Sequence, residues 1–354
     1  MIKYLFAFIV ALASLSSFSA AQTLFPALSS ENTKSLTIYS SLDEDVSKPL
    51  LEAYQKLRPS VEIYYHDLQT LEIYERTIEE SDSGKPTADL LFSSAMDLQV
   101  KLANDGYAQS VSAIPTNWPK WAMWQKSAFG LTFEPSVFVY HKPSFEGKEP
   151  PKNRTELISL LEQPNDQFFG RIGTYDIEQS GLGFLFLARD TEHDRDLWKL
   201  INAFGTAGVK LYSNSSSILE RVSDGRLAIG YNILGSYAEA WAATNPDLGI
   251  ILPEDYTVVM SRTALVTKSA REPELGKDML AFIMSETGQT IMANQMKLPA
   301  VHPSVASDNT ASAFRKKFGT RLRPITIGPG LVAYLDQVKR ARFIKRWNKS
   351  LRGE

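Results

Sequence analysis

The sequence predicts an α/β fold of two lobes, each built on a doubly wound, mostly parallel sheet. Three observations carry this expectation. Short apolar strands alternate with helix-period segments along most of the chain, a pattern that implies parallel βαβ units. At 354 residues the chain exceeds the size at which a single hydrophobic core keeps growing. The alternation starts afresh after a Pro-, Gly- and Lys-rich stretch at 142–152.

The chain opens with one charge at Lys3, an apolar run over 4–15 broken only by Ser14, and small residues up to Ala21 interrupted by Phe18. Charge, apolar core and small residues in that order mark a secretory leader, with cleavage expected near Ala21. The core is too short to span a bilayer, which takes about 20 apolar residues. There is no cysteine, which excludes a lipid-modified cysteine as well as disulfides. An exported, soluble monomer without a cofactor is expected.

The elements follow in order. Residues 36–39 alternate as a strand and end at Ser40 and Ser41; Val46, Leu50, Leu51, Tyr54 and Leu57 then recur at helical spacing until Pro59. A strand at 61–65, a helix through Leu71, Tyr74 and Ile78, and a strand at 88–92 continue the pattern into Ser93 and Ser94. Residues 128–140 form a long apolar extended stretch, after which a crossing into the second lobe is expected. That lobe repeats the theme with strands at 171–175, 209–212, 227–231 and 248–252, and residues 258–266 form the return crossing. Helices are expected over 274–285 and 287–296 and from Leu331 onward. The expected division is therefore 1–21 as leader, 22–140 with 262–354 as the first lobe, and 141–261 as the second.

Charge is nearly balanced, with 38 Lys and Arg against 40 Asp and Glu. No global field attracts nucleic acid. The exception is 314–352, which holds twelve basic residues against one acid, Asp336. A solvated helix face accounts for it; an acidic partner or anionic membrane is the sharper reading.

The recurring chemical event is a strand that ends in hydroxyls just before a helix. It happens at Ser40 and Ser41, at Ser93 and Ser94, and at Ser213 with Ser215 and Ser216; Thr174 with Ser180 is a looser case. Ligands of open α/β sheets bind beyond the carboxyl ends of the strands. Helix starts there offer free N–H groups and about half a unit of positive charge, which favours anions. Capping alone explains any single serine, since 41–44 and 217–220 read as capping boxes and 94–97 resembles one. Repetition at strand ends in both halves is what favours a binding role.

Enzyme chemistry finds little support. There is no cysteine nucleophile, G-x-S-x-G elbow, H-E-x-x-H or Walker loop, and the four histidines are scattered. Gly181-Leu182-Gly183 signals close packing or a turn. Trp118, Trp121 and Trp124, at spacing three, suit core or lobe-interface packing.

Residues 36–44, 88–97 with their Asp-Leu-Leu-Phe-Ser-Ser core, 170–183 and 213–232 resemble the bacterial extracellular solute-binding proteins of ABC importers. The chain is most like the branch that holds ferric-iron, hexose-phosphate and phosphoglycerate-related binding proteins. The resemblance implies a type II periplasmic-binding fold, with two hinge crossings and a ligand held between the lobes. It also implies periplasmic location and a permease in the inner membrane as partner, or a sensor histidine kinase in the phosphoglycerate-related case. Ferric-binding members carry adjacent tyrosines where this chain has Tyr231-Asn232, with Tyr237 six residues on. The iron ligands therefore do not carry over directly, so no metal is expected and ferric binding stands as the runner-up reading. A small phosphorylated or carboxylated solute is the leading expectation, bound by Ser40, Ser41, Ser93, Ser94, Thr174, Ser180, Ser215, Ser216, Tyr231 and Asn232.

Overall fold

The computed structural model describes residues 22–163 and 166–353, so the leader expected over 1–21 lies outside the described residues. The first sheet is built from β1 (Gln22–Phe25), β2 (Lys34–Ser40), β3 (Val61–Asp67), β4 (Leu90–Ser93), β5 (Met123–Trp124) and β6 (Ala128–Gly130). The second takes β7 (Glu134–His141), β8 (Ile172–Tyr175), β9 (Lys210–Tyr212), β10 (Ile229–Leu234), β11 (Leu248–Ile251) and β12 (Thr257–Met260). The chain then returns β13 (Thr263–Val266) to the first sheet and sends β14 (Leu322–Pro324) to the second.

Strand order in the first sheet is β1-β3-β2-β4-β13-β6-β5; in the second it is β14-β12-β7-β10-β8-β9, with β11 also on β7. In the first, β2 runs parallel to β3 on one side and to β4 on the other. In the second, β8 stands parallel between β9 and β10. Each sheet therefore reverses its winding beside a central strand, and the crevice at such a switch is where α/β sheets bind ligands. The four residues of β4 are all buried, as befits a strand covered on both faces.

Helices α1 (Glu44–Leu57), α2 (Thr70–Asp82) and α3 (Met96–Asn104) follow β2, β3 and β4. In the second lobe come α4 (Arg154–Leu161), α5 (Gly181–His193), α6 (Leu197–Thr206), α7 (Ser215–Ser223) and α8 (Gly235–Ala242). The set closes with α9 (Pro273–Met284), α10 (Glu286–Asn294), α11 (Ala311–Phe318) and α12 (Gln337–Arg352).

Two lobe assignments need correction. The apolar stretch 128–140 is not one strand: β6 pairs with β13 and β7 with β10, so the chain changes lobes at 131–133, ahead of the expected 140/141. Leu131 N–H donates to Arg262 O at 2.8 Å and Arg262 N–H to Thr132 Oγ1 at 2.7 Å, which lays the outward and return crossings side by side. Gly130 is required here, because a Cβ would sit 2.5 Å from Ser261 Oγ. The second correction concerns the C-terminal segment, expected with the first lobe. β14 pairs with β12, and α12 packs on α6 through Trp347, which is buried. Phe343 packs edge-on against Trp198 at 5.5 Å. Burial of that aromatic face decided the docking, while the seven basic residues of α12 gave a sequence reader no direction. The helix begins at Gln337; residues 329–334 form a tighter 3-10 turn, against α3 of the first lobe.

Candidate functional site

A cavity of about 260 Å³ lies between the lobes. Its walls are the starts of six helices. Asp43 precedes α1, Gln69 and Thr70 open α2, and Ser94 leads into α3. From the other lobe come Ser180 before α5, Asn214 before α7 and Leu234 before α8. Each helix start adds unpaired N–H groups and partial positive charge to one small volume.

Five of the expected residues meet here: Ser41, Ser94, Ser180, Ser215 and Ser216 all line the cavity. The capping reading fails for most of them. α1 is preceded by Asp43, α3 by Ala95 and α7 by Asn214, and it is the Asn214 side chain that accepts from Ser217 N–H. Ser41 Oγ instead accepts from Ser94 N–H at 3.0 Å and lies 3.2 Å from Ser94 Oγ. Ser215 Oγ pairs with Tyr175 OH at 2.6 Å. Ser180 does cap, accepting from Gly183 N–H at 3.1 Å.

The other five are placed elsewhere. Ser40 and Ser93 are fully buried and accept from the N–H groups of Leu42 and Ala95, at 3.1 and 3.2 Å. In each doubled hydroxyl the second residue faces the cleft and the first tightens the turn. Thr174 Oγ1 donates to Tyr231 O at 3.3 Å, and Thr174, Tyr231 and Asn232 line a separate cavity of about 10 Å³. Tyr231 OH and Asn232 Nδ2 both donate to Asp190 Oδ2, at 2.8 and 2.7 Å. Arg154 joins them from α4, 3.2 Å from Asp190 Oδ1, with its guanidinium 3.7 Å from the Tyr256 ring centre. The physical cause is a bulge: β10 shifts register between Gly230 and Ile233, and Asn232 takes φ +61°. Asn tolerates that left-handed region better than most residues, and a bulge re-aims the side chains around it.

Sequence reasoning missed the charged residues. Arg262, at the return crossing, lines the cavity and is fully buried. Its Nη1 donates to Ser41 O at 3.2 Å, and its Nε sits 3.1 Å from Glu134 Oε1. Its Nη2 has no hydrogen-bond partner among the described residues. Burial opposes the charge of Arg262, and Glu134, Tyr237, Asp43 and Tyr65 together more than offset it, so the guanidinium stays charged. Asp43 accepts from Tyr237 OH at 2.8 Å and from Ser216 Oγ at 3.4 Å. Asp67 is pushed up to about 6, first by burial and then by the charge of Asp43; the Glu44 amide and Arg262 pull it back. The one available signal was Arg262, a lone charge in the apolar stretch 258–266.

The lobes are latched over this cavity. Tyr237 and Ser216 of the second lobe hold Asp43 of the first, and Gly181 N–H donates to Thr70 Oγ1 at 3.1 Å. Ala95 and Leu98 of the first lobe share one apolar cluster with Phe184 and Leu187 of the second. Trp118 is buried in the main core with Trp121 and Trp124 packed partly buried against it, and none of the three lines the cavity.

A two-lobed α/β shell closed over a small polar chamber defines a binding protein. The chain belongs to the bacterial extracellular solute-binding proteins, whose family model matches residues 51–316. It is a solute-binding protein of the kind that serves ABC transporters, not an enzyme. It is similar to the substrate-binding protein of an ABC transporter from Agrobacterium tumefaciens, at 56% identity and TM-score 0.92, over 94% of this chain and 99% of that one. It also shares its fold with AfuA from Actinobacillus pleuropneumoniae, solved with fructose-6-phosphate bound (16% identity, TM-score 0.73, 90% and 99% covered). Iron-bound HitA from Pseudomonas aeruginosa is a further fold relative (16% identity, TM-score 0.69, 89% and 99% covered). No curated protein matches the chain.

Proposed function

We propose that the protein captures a small organic solute bearing a phosphate or carboxylate group in the periplasm and delivers it to the permease of an ABC importer. The observation that carries this reading is Arg262, a buried guanidinium on the cleft wall whose Nη2 has no partner among the described residues. A buried donor left unpaired costs about 1–3 kcal/mol, more when charged, so a solute acceptor that reaches Nη2 from the cleft recovers that energy. The hydroxyls of Ser41, Ser94 and Ser216 and six helix starts supply further donors around the same volume. At about 260 Å³ the chamber suits a solute of metabolite size, equal to roughly nine waters at their liquid volume.

Ferric capture has less support. Tyr231 is held by Asp190 and Arg154 in the second lobe, so Tyr237 does not gain it as a neighbouring phenolate. Among the described residues, no three His, Asp or Glu side chains gather as a metal site would need.

The test is a thermal-shift screen of the mature chain against sugar phosphates, phosphoglycerates, dicarboxylates and ferric citrate. A ligand at 100 times its Kd adds about 2.7 kcal/mol, a rise of roughly several degrees for a protein of this size. Stabilisation by an organic phosphate or carboxylate supports the proposal. Stabilisation by ferric citrate alone overturns it.

A further inference from the structure

We infer that the solute is zwitterionic, with its oxyanion at Arg262 and the cleft hydroxyls and an ammonium group between Asp43 and Asp67. The inference rests on the oxyanion reading of the same cleft and adds a second, opposite charge to the ligand.

The argument is a charge balance. Arg262 is the one cationic side chain that lines the cavity among the described residues, and no lysine or histidine joins it. Glu134, fully buried and 3.1 Å from its Nε, is its ion-pair partner, so this one cation is shared among Glu134, Asp43 and Asp67. Asp43 and Asp67 line the same chamber, and Glu44 adds its charge to the field felt by Asp67. The groups that contact Asp43 are Tyr237 OH, at 2.8 Å, and Ser216 Oγ, at 3.4 Å. These neutral donors satisfy its lone pairs and leave its charge. A solute that is only an anion would bring a third negative charge to two carboxylates in a closed, poorly solvated space, where like charges repel strongly. A solute that is only a cation would leave the unpartnered Nη2 of Arg262 as it is. A molecule carrying both charges answers both features at once.

Asp67 supports the same conclusion. Burial and the charge of Asp43 raise it to about 6, and the charge of Arg262 only partly pulls it back. Asp43 and Asp67 sit where β2 and β3 hand over to α1 and α2, on the first-lobe wall. The residues of the opposite wall, Ser180, Asn214, Ser215, Ser216 and Tyr237 among them, are all uncharged.

Titration calorimetry at pH 7.5 with two matched probe sets tests the inference. One set is phosphoethanolamine, ethyl phosphate and ethanolamine; the other is γ-aminobutyrate, butyrate and butylamine. At least one zwitterion is expected to bind tenfold or more tightly than its anionic half. Asp67→Asn should bring the pair within about threefold of each other, with Asp43→Asn as the second variant should Asp67→Asn fail to fold. An anionic half that binds as tightly as its zwitterion overturns this inference and leaves the oxyanion reading standing. Binding of the amines alone, or of none of the six, overturns both.

Discussion

The hydroxyl of Tyr237, at the start of α8, donates to Asp43 Oδ1, just before α1, at 2.8 Å across the mouth of the cleft. It also accepts from Asp43 N–H at 3.2 Å, so one phenol ties backbone and side chain of the facing lobe. A hinged binding protein closes to the extent that such contacts favour the closed state. Tyr237→Phe removes both bonds and leaves the ring. A hydrogen bond to a charged group contributes about 1.5–3 kcal/mol, so Kd should rise by tenfold or more in titration calorimetry. An unchanged Kd would show that the latch does not contribute to closure.

Gly181 tests closure from the other side of the cleft. A Cβ there would meet Leu98 Cδ1 at 2.8 Å and Thr70 Oγ1 at 3.1 Å, both on the first lobe. Gly181→Ala should therefore hold the lobes apart while leaving each one folded. The expected outcome is weaker solute binding at a melting temperature close to wild type. Small-angle scattering should show less compaction on adding solute.

Asp97, in α3, links stability to pH. Burial raises it from 3.8 to about 7, against hydrogen bonding from the Leu98 amide and attraction to Arg189. Between those values the folded protein holds more protons than the unfolded chain, so this contribution to stability falls as pH rises toward and through 7. A shift of roughly three units corresponds to an upper bound of about 4 kcal/mol. Asp97→Asn should stabilise the protein at pH 8 relative to wild type, with a smaller gain at pH 5, in denaturant titrations at the two values. Equal gains at both would contradict the buried, raised carboxyl.

Tyr231 and Asn232 separate structure from binding. Both donate to Asp190, itself buried beside Arg154. Tyr231→Phe or Asn232→Ala leaves part of a buried charged network unpaired, a loss of about 1–3 kcal/mol. Each variant should melt earlier and keep its solute Kd within about twofold.

The alternation of strands and helices, with polar strand ends, exposed the fold in the sequence because periodicity is a local property. The site was legible only where local chemistry coincided with the cleft. Ser41 and Ser94 were within reach, since a doubled hydroxyl at a strand end places one member on the crevice. Asn232 misled because a bulge in β10 turned it inward, and one-dimensional spacing carries no trace of a bulge. Asp43, Asp67 and Tyr237 become a site through contacts between lobes, such as the 194-residue separation from Asp43 to Tyr237. Arg262 stood out as a charge amid apolar residues, yet its meaning depends on Glu134, which lies on the other crossing strand.

The most direct measurement pairs Arg262 with that partner. Arg262→Met alone leaves Glu134 buried and uncompensated, a loss of about 3–5 kcal/mol, so the useful variant is Arg262→Met with Glu134→Gln. Titration calorimetry of wild type and the double variant, with the oxyanion-bearing solute that most stabilises the wild type, decides the matter. The account predicts a melting temperature near wild type and a Kd at least a hundredfold weaker. A folded double variant that binds the solute as tightly as wild type would contradict it.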